Sequence, residues 1–134
     1  MKASELMIGD YVTFKDSIEC DNIPMKVKIV ALGYQHRGEE DEALVQIDDD
    51  NACDIINIDN EVVGYPLTFE ILEKNGFYYD EDRNAYLMGV IFQVKPERHG
   101  LFSFKICGCP YPLSAVHELQ HALKLCGIDK EIVL

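Results

Sequence analysis

Short stretches of alternating apolar and polar residues follow one another through the first half of the chain. Each is rich in β-branched residues or bounded by turn-forming residues, a pattern typical of strands. The predicted strands are a segment up to Phe14 that follows a turn at Gly9-Asp10, then Met25–Leu32, Ala43–Ile47, Ile55–Ile58 and Glu61–Val63. Because no helix is predicted between them, they favour a small curled antiparallel sheet or an SH3-like barrel.

The second half begins with the clearest helix pattern in the chain. Thr68 can cap a short helix, carboxylates follow in its first turn, and Gly76 can adopt the left-handed conformation that ends it. We expect Phe69, Leu72 and Ile71 to face the core.

The remaining residues predict a second sheet and a last helix. Alternation predicts strands at Tyr78–Asp82, Ala85–Val94 and Leu101–Ile106. From Leu113 or Ser114 to Cys126 the pattern is helical, with Ser114 as the cap and Gly127 as the terminator, and a short strand is expected at 130–134.

These elements predict the α+β class: an SH3-like or curled antiparallel N-terminal half, a short helix, a second antiparallel sheet and a C-terminal helix. No Pro-, Gly- or Ser-rich linker interrupts the chain. We therefore expect residues 1–134 to form a single compact domain, with a β-rich sub-region 1–65 and a helix-sheet-helix sub-region 66–134.

Composition and cysteine usage favour a cytoplasmic globular protein. Hydrophobic residues make up 48% of the chain, with seven Tyr and six Phe, enough to build a packed core. No signal-peptide core and no apolar run near the roughly 20 residues of a membrane span is present. The five cysteines, an odd number, favour reduced thiols over a disulfide framework.

The charge is strongly negative and unevenly spread. The formal net charge is -12, which disfavours direct binding to a nucleic-acid backbone. Between Gly38 and Glu61 there is no Lys or Arg, and the acidic residues there are Glu39, Glu40, Asp41, Glu42, Asp48, Asp49, Asp50, Asp54, Asp59 and Glu61. This stretch lacks the ligand spacing of an EF-hand loop, so a solvated acidic face is expected.

One string matches a catalytic motif. His117-Glu118-Leu119-Gln120-His121 fits the His-Glu-x-x-His pattern, in which two imidazoles on one helix face bind zinc and the Glu activates its water. Read literally, His117 and His121 are metal ligands and Glu118 is the general base.

The rest of a zinc-protease site is missing from the sequence. A catalytic zinc needs a third protein ligand, and downstream of His121 only Asp129 and Glu131 offer one, while His99, Cys107 or Cys109 would match no zinc-protease pattern. A helical wheel places the two histidines with Gln120 and Lys124 on a polar stripe. Opposite lies an apolar arc of Val116, Leu119, Ala122, Leu123 and Cys126. The string is therefore interpreted as a polar helix face, and no metal or cofactor is predicted.

The cysteines near the end of the chain offer a weaker metal hypothesis. Cys107-Gly108-Cys109 supplies two thiolates, and Cys126 with His99 could complete four ligands. No second ligand pair with zinc-finger spacing is present, so thiols in a turn or in the core are favoured.

Three blocks of sequence resemble a known family. They are Met1–Val12, Pro66–Phe77 and Val116–His121. In their order and content they resemble an uncharacterised family of small proteins from gut anaerobes, often carried on phage and other mobile elements. The resemblance implies a cytoplasmic, mobile-element context, and it brings no activity, ligand or catalytic residue.

Three functions remain open from the sequence. The first is a non-enzymatic interaction module that binds another protein through its acidic face or through exposed aromatic residues among Tyr78, Tyr79, Tyr86 and Tyr111. The second is a minimal zinc-dependent hydrolase using His117, Glu118 and His121. The third is an acidic inhibitor of a nucleic-acid enzyme, whose carboxylates would mimic a phosphate backbone.

Overall fold

The computed structural model describes residues 1, 5–19, 23–34, 42–48, 53–89, 92–106 and 109–134. The chain divides into two compact units, Met1–Tyr65 and Pro66–Leu134. Each unit contains one five-stranded antiparallel sheet. With its helices and two sheets the protein belongs to the α+β class, as the sequence predicts, while the single domain over 1–134 stays a prediction.

The first unit is an antiparallel meander whose first and last strands pair. Its strands are β1 (Tyr11–Phe14), β2 (Val27–Tyr34), β3 (Glu42–Ile47), β4 (Cys53–Asn57) and β5 (Val62–Gly64), with short helices α1 (Lys15–Glu19) and α2 (Ile58–Glu61). The sheet order is β4-β3-β2-β1-β5. This is the strand order of SH3-like barrels, and the register shifts between β2 and β3 add the local twist that curls such sheets.

Alternation of side chains builds the core of this unit. Val27 and Ile29 on β2, and Ala43 and Val45 on β3, are buried at alternate positions. A tight turn before β1 is closed by the Asp10 carboxylate, which accepts the Met7 N–H at 2.7 Å. Gly9 adopts a φ of 94° in that turn, a conformation that favours glycine. The buried cluster comprises Leu6, Val12, Val27, Ile29, Ala43, Val45, Ile56, Ile58 and Val62.

Two details of the first unit differ from the sequence prediction. Helices α1 and α2 lie between strands where no helix was expected. Ile58 was assigned to a strand, but it begins α2, because the Asn57 side chain caps this turn by accepting the Asn60 N–H at 3.1 Å. Of the predicted acidic face, Glu39, Glu40, Asp41, Asp49 and Asp50 lie outside the described residues.

The second unit places helices before and after its sheet. Helix α3 (Phe69–Lys74) comes first and α4 (Val116–Leu125) comes last. Between them run β6 (Tyr78–Asp80), β7 (Ala85–Met88), β8 (Phe92–Pro96), β9 (Phe102–Ile106) and β10 (Cys109–Leu113), and a 3-10 turn at Arg98–Gly100 joins β8 to β9. The sheet order β10-β9-β8-β7-β6 is a simple up-and-down meander.

Helix α3 begins and ends where the sequence predicts. The Thr68 hydroxyl accepts the Ile71 N–H at 3.3 Å, and Gly76 has a φ of 85° just beyond the last turn. Leu72 and Ile71 are buried as expected. Phe69 was expected in the core, but it remains 46% exposed, because it is the first helical residue and lies at the rim of the sheet.

Two strand predictions in this unit are wrong, and one strand was not predicted. The stretch Ala85–Val94 forms two strands, with Gly89 at a φ of 63° after the first of them. Strand β10, which contains Pro110 and Pro112, was not predicted, because prolines cannot donate to a ladder and are uncommon in strands. Residues 130–134 form no strand; instead, Ile132 is fully buried.

No helix in the described part of the chain is long and apolar enough to cross a membrane.

Candidate functional site

Helix α4 carries the His-Glu-x-x-His string and buries a wider face than the wheel predicts. Val116, Leu119, Ala122 and Leu123 are buried as expected. Two assignments are wrong: His117 is only 7% exposed, and Cys126 is exposed. A wheel represents one helix alone and omits the chain packed beside it, so it cannot show that His117 is covered.

The two histidines of the string occupy different environments. His117 is buried and His121 is partly exposed, with their ring centroids 5.8 Å apart and their planes at 77°. Side chains at i and i+4 are neighbours on one face of a regular helix. The spacing that defines the motif is thus present.

Glu118 has a structural task at the start of α4. Its Oε2 atom accepts the backbone N–H of Ser114 at 2.6 Å, the backbone N–H of Ala115 at 3.0 Å and the Ser114 hydroxyl at 3.1 Å. The N-cap is Ala115, which carries no side-chain acceptor, so the predicted Ser114 cap is wrong. Glu118 supplies the carboxylate half of a capping box from the third helical position. The oxygen that a general base would direct at a zinc-bound water is therefore directed at the helix start.

In the described part of the chain, no third ligand joins these histidines. Among the residues described, no group of three or more His, Cys, Asp or Glu side chains could hold a metal ion. Asp129, Glu131 and His99 are exposed, and Cys109 and Cys126 are exposed free thiols. Cys107 lies outside the described residues, so the four-ligand hypothesis that includes it stays a prediction.

A shallow depression lies beside His121. It has a volume of about 280 Å³ and is lined by Phe104, Tyr111, Pro112, Leu113, Glu118, His121, Ala122 and Leu125. Most of these side chains are apolar, and the Tyr111 ring lies 5.7 Å from that of Phe104. The depression offers an apolar contact surface with one imidazole at its edge.

A second depression is built almost entirely from rings. It has a volume of about 250 Å³ and is lined by Phe69, Tyr79, Tyr86 and Pro96, and we call it the aromatic pocket. The Phe69 and Tyr86 centroids are 5.7 Å apart, and those of Tyr79 and Tyr86 are 5.2 Å apart. Tyr86 is 6% exposed, whereas Tyr79 is 43% exposed, so the pocket has a buried base and an accessible wall.

Local structure explains how these rings meet. Tyr79 and Tyr86 are directly paired across β6 and β7, which places both side chains on one face of the sheet. Phe69 begins α3 directly after its cap, and its ring also packs edge-on against Phe102 at 5.2 Å. These contacts bring the three rings together at one depression.

The sequence contained part of this signal. Tyr78 and Tyr79 are adjacent on a strand, so their side chains point to opposite faces and cannot both enter one core. Both are exposed, as is Tyr111, whereas Tyr86 is buried. Phe69 was missed because its helical position alone predicts burial.

Carboxylates on α3 border the aromatic pocket. The pKa of Tyr86 is raised, first by burial and then by the nearby Glu73 carboxylate, Tyr79 and Glu70. The pKa of Glu70 is lowered by hydrogen bonds from its own backbone N–H and from the Thr68 side chain. The pocket therefore combines aromatic faces with negative charge.

Comparison of the chain with protein families, with curated proteins and with solved structures gave no match.

Proposed function

We propose that the chain is a non-enzymatic protein-interaction module that binds another protein through the aromatic pocket. The observation that supports this most is the pairing of exposed Phe69 and Tyr79 with buried Tyr86 in one depression. Rigid aromatic side chains bury a large area at a small cost in conformational entropy, and they dominate the energetics of many interfaces.

The charge around the pocket favours a partner with basic side chains. Glu70 and Glu73 lie beside the rings, and the whole chain has a formal net charge of -12. A lysine or arginine placed over an aromatic face gains a cation–π interaction, and the carboxylates add attraction at the rim. The proposed partner is therefore a basic segment of another protein.

A selection from a displayed peptide library tests this proposal. We expect the purified chain to enrich basic peptides, and a synthetic peptide of the enriched sequence to bind at least tenfold more weakly to Tyr79→Ala. The matched control is Tyr111→Ala, an exposed tyrosine outside the pocket, which should bind as the parent does. Equal binding by both variants, or no enrichment, would overturn the proposal.

The zinc-hydrolase alternative has its own measurement. Elemental analysis of protein purified without chelator should find far less than one zinc per chain. The reasons are that Glu118 caps α4 and that, among the described residues, no third ligand joins His117 and His121. About one zinc per chain, lost in a folded His117→Ala, His121→Ala double variant, would favour the hydrolase instead.

The cellular setting belongs to the proposal as well. A cytoplasmic location and a mobile-element context rest on the cysteine usage and on the sequence resemblance alone. The acidic-inhibitor alternative stays a prediction, because half of its carboxylates lie outside the described residues.

A further inference from the structure

A groove of about 590 Å³ crosses the second sheet. Its lining comes from the turn before β7 and from β7 to β10, and we call it the basic groove. The lining residues are Arg83, Ala85, Gln93, Lys95, Glu97, Ser103, Phe104, Lys105 and Pro110. On β8, Phe92 and Val94 are buried whereas Gln93 and Lys95 are exposed, so the groove lies on the face opposite the aromatic pocket.

Positive charge is concentrated in this groove. Arg83, Lys95 and Lys105 line it against one carboxylate, Glu97, in a chain that has only 12 basic residues against 24 acidic ones. Arg83 lies 3.9 Å from Asp80, a long ion pair. Within the described ranges, Lys95 and Lys105 form no ion pair.

Strand register places the two lysines together. Lys95 is paired directly with Ser103, so Lys105, two residues further along β9, is its diagonal neighbour on the same face. Diagonal neighbours in an antiparallel pair lie about 7–8 Å apart. The two side chains leave the backbone at about that separation, and their flexible ammonium groups can both reach one anion placed between them.

The single carboxylate of the groove is already engaged. The Ser103 hydroxyl donates a hydrogen bond to Glu97 Oε1 at 2.7 Å, so the hydrogen-bond donor to this oxygen is a neutral hydroxyl group. Asp80, Glu81 and Asp82 directly precede Arg83 in the chain, and the Asp80 carboxylate lies 3.9 Å from the Arg83 guanidinium. The excess positive charge of the groove therefore comes from Lys95 and Lys105.

We propose that the basic groove binds a phosphate monoester of a small organic molecule. A doubly charged phosphoryl group suits Lys95 and Lys105 with Arg83 at the side, and the Gln93 amide can donate a further hydrogen bond. The volume is that of a small-molecule site and far exceeds the space that a free phosphate fills. The exposed Pro110 ring offers apolar surface for the organic part.

Isothermal titration calorimetry with phenyl phosphate tests this site. We expect saturable binding of phenyl phosphate to the parent protein. The affinity of the Lys95→Gln, Lys105→Gln double variant should be at least tenfold lower. The matched control is Lys124→Gln, Lys130→Gln, which removes the same charge from two exposed lysines outside the groove and should bind within about twofold of the parent. Circular dichroism of both variants establishes that they remain folded.

Each other outcome contradicts the proposal. Equal weakening in the two double variants would show attraction by overall charge alone, and inorganic phosphate binding as tightly as phenyl phosphate would overturn the assignment to an ester. Absence of saturable binding to the parent would overturn the site itself. Tyr79→Ala, on the other sheet face, should leave phenyl phosphate binding unchanged, which separates this result from that of the aromatic pocket.

Discussion

Asn75 and Val133 are joined by two hydrogen bonds although 58 positions separate them in the chain. The Asn75 amide nitrogen donates to the Val133 carbonyl at 2.7 Å, and its oxygen accepts the Val133 N–H at 2.8 Å. The same amide nitrogen donates to the Ile71 carbonyl at 2.7 Å, so one buried side chain fixes the C-terminal segment to α3. This contact lets Ile132 reach the core without forming a strand.

We expect Asn75→Ala to lower the free energy of unfolding by about 2–3 kcal/mol, because it leaves buried backbone groups without their hydrogen bonds. Urea denaturation followed by circular dichroism measures the change. Asn75→Asp, which keeps the shape but replaces the donor with a carboxylate facing two carbonyls, should be destabilised at least as much. An unchanged urea midpoint in both variants would show that the C-terminal segment is held by other contacts.

We expect Glu118→Ala to destabilise the protein by about 1 kcal/mol, although alanine is the better helix former, because the start of α4 loses its capping carboxylate. Thermal unfolding at neutral pH measures the loss. The control is Glu81→Ala in the exposed turn after β6, which should change stability by less than about 0.5 kcal/mol. Similar small effects of the two substitutions would contradict the capping role.

The raised pKa of Tyr86 predicts a loss of stability at alkaline pH. Burial, followed by the Glu73 carboxylate, raises its pKa above the ordinary 10.0, so the folded protein holds the phenolic proton more tightly than the unfolded chain does. This contribution is complete below the unfolded-state pKa and is lost as the pH rises through the folded-state pKa. Urea denaturation between pH 9 and about 11.5 measures the free energy of unfolding, which should fall less with rising pH for Tyr86→Phe than for the parent. Tyr78→Phe, at an exposed position, should follow the parent, and three parallel curves would contradict the assignment.

We expect Gly76→Ala to cost about 1 kcal/mol, because an alanine must adopt the left-handed conformation at a φ of 85°. An added Cβ would meet no heavy atom within 4 Å, so the cost arises from the backbone and not from a clash. Gly76→Asn should cost less, since asparagine tolerates this region better. Denaturation midpoints rank the three proteins, and an alanine variant as stable as the asparagine variant would refute this reasoning.

Features encoded within a few residues could be predicted from the sequence, and features that depend on distant chain could not. Thr68 and Gly76 fix both ends of α3 through contacts three residues away or through the conformation of one residue. Asn75, by contrast, contacts Val133, and no local pattern reveals that pairing. The burial of His117 was likewise missed, because it depends on how the folded chain covers the start of α4.

Of the two candidate sites, the aromatic pocket has a local sequence signal and the basic groove has none. Adjacent Tyr78 and Tyr79 already implied an exposed ring, since neighbouring strand residues face opposite sides. The basic groove needs the register of β8 with β9, which alone makes Lys95 and Lys105 neighbours. Strand register is set by side-chain packing across the whole sheet and is not readable from either strand.

The two prolines of β10 decide how this sheet can meet another chain. Strand β10 is an edge of its sheet, and Pro110 and Pro112 have no N–H to offer an incoming strand. A foreign strand laid along this edge would find carbonyl oxygens but lack donors at alternate positions. The β10 edge is thereby a poor template for β-augmentation and for edge-to-edge aggregation.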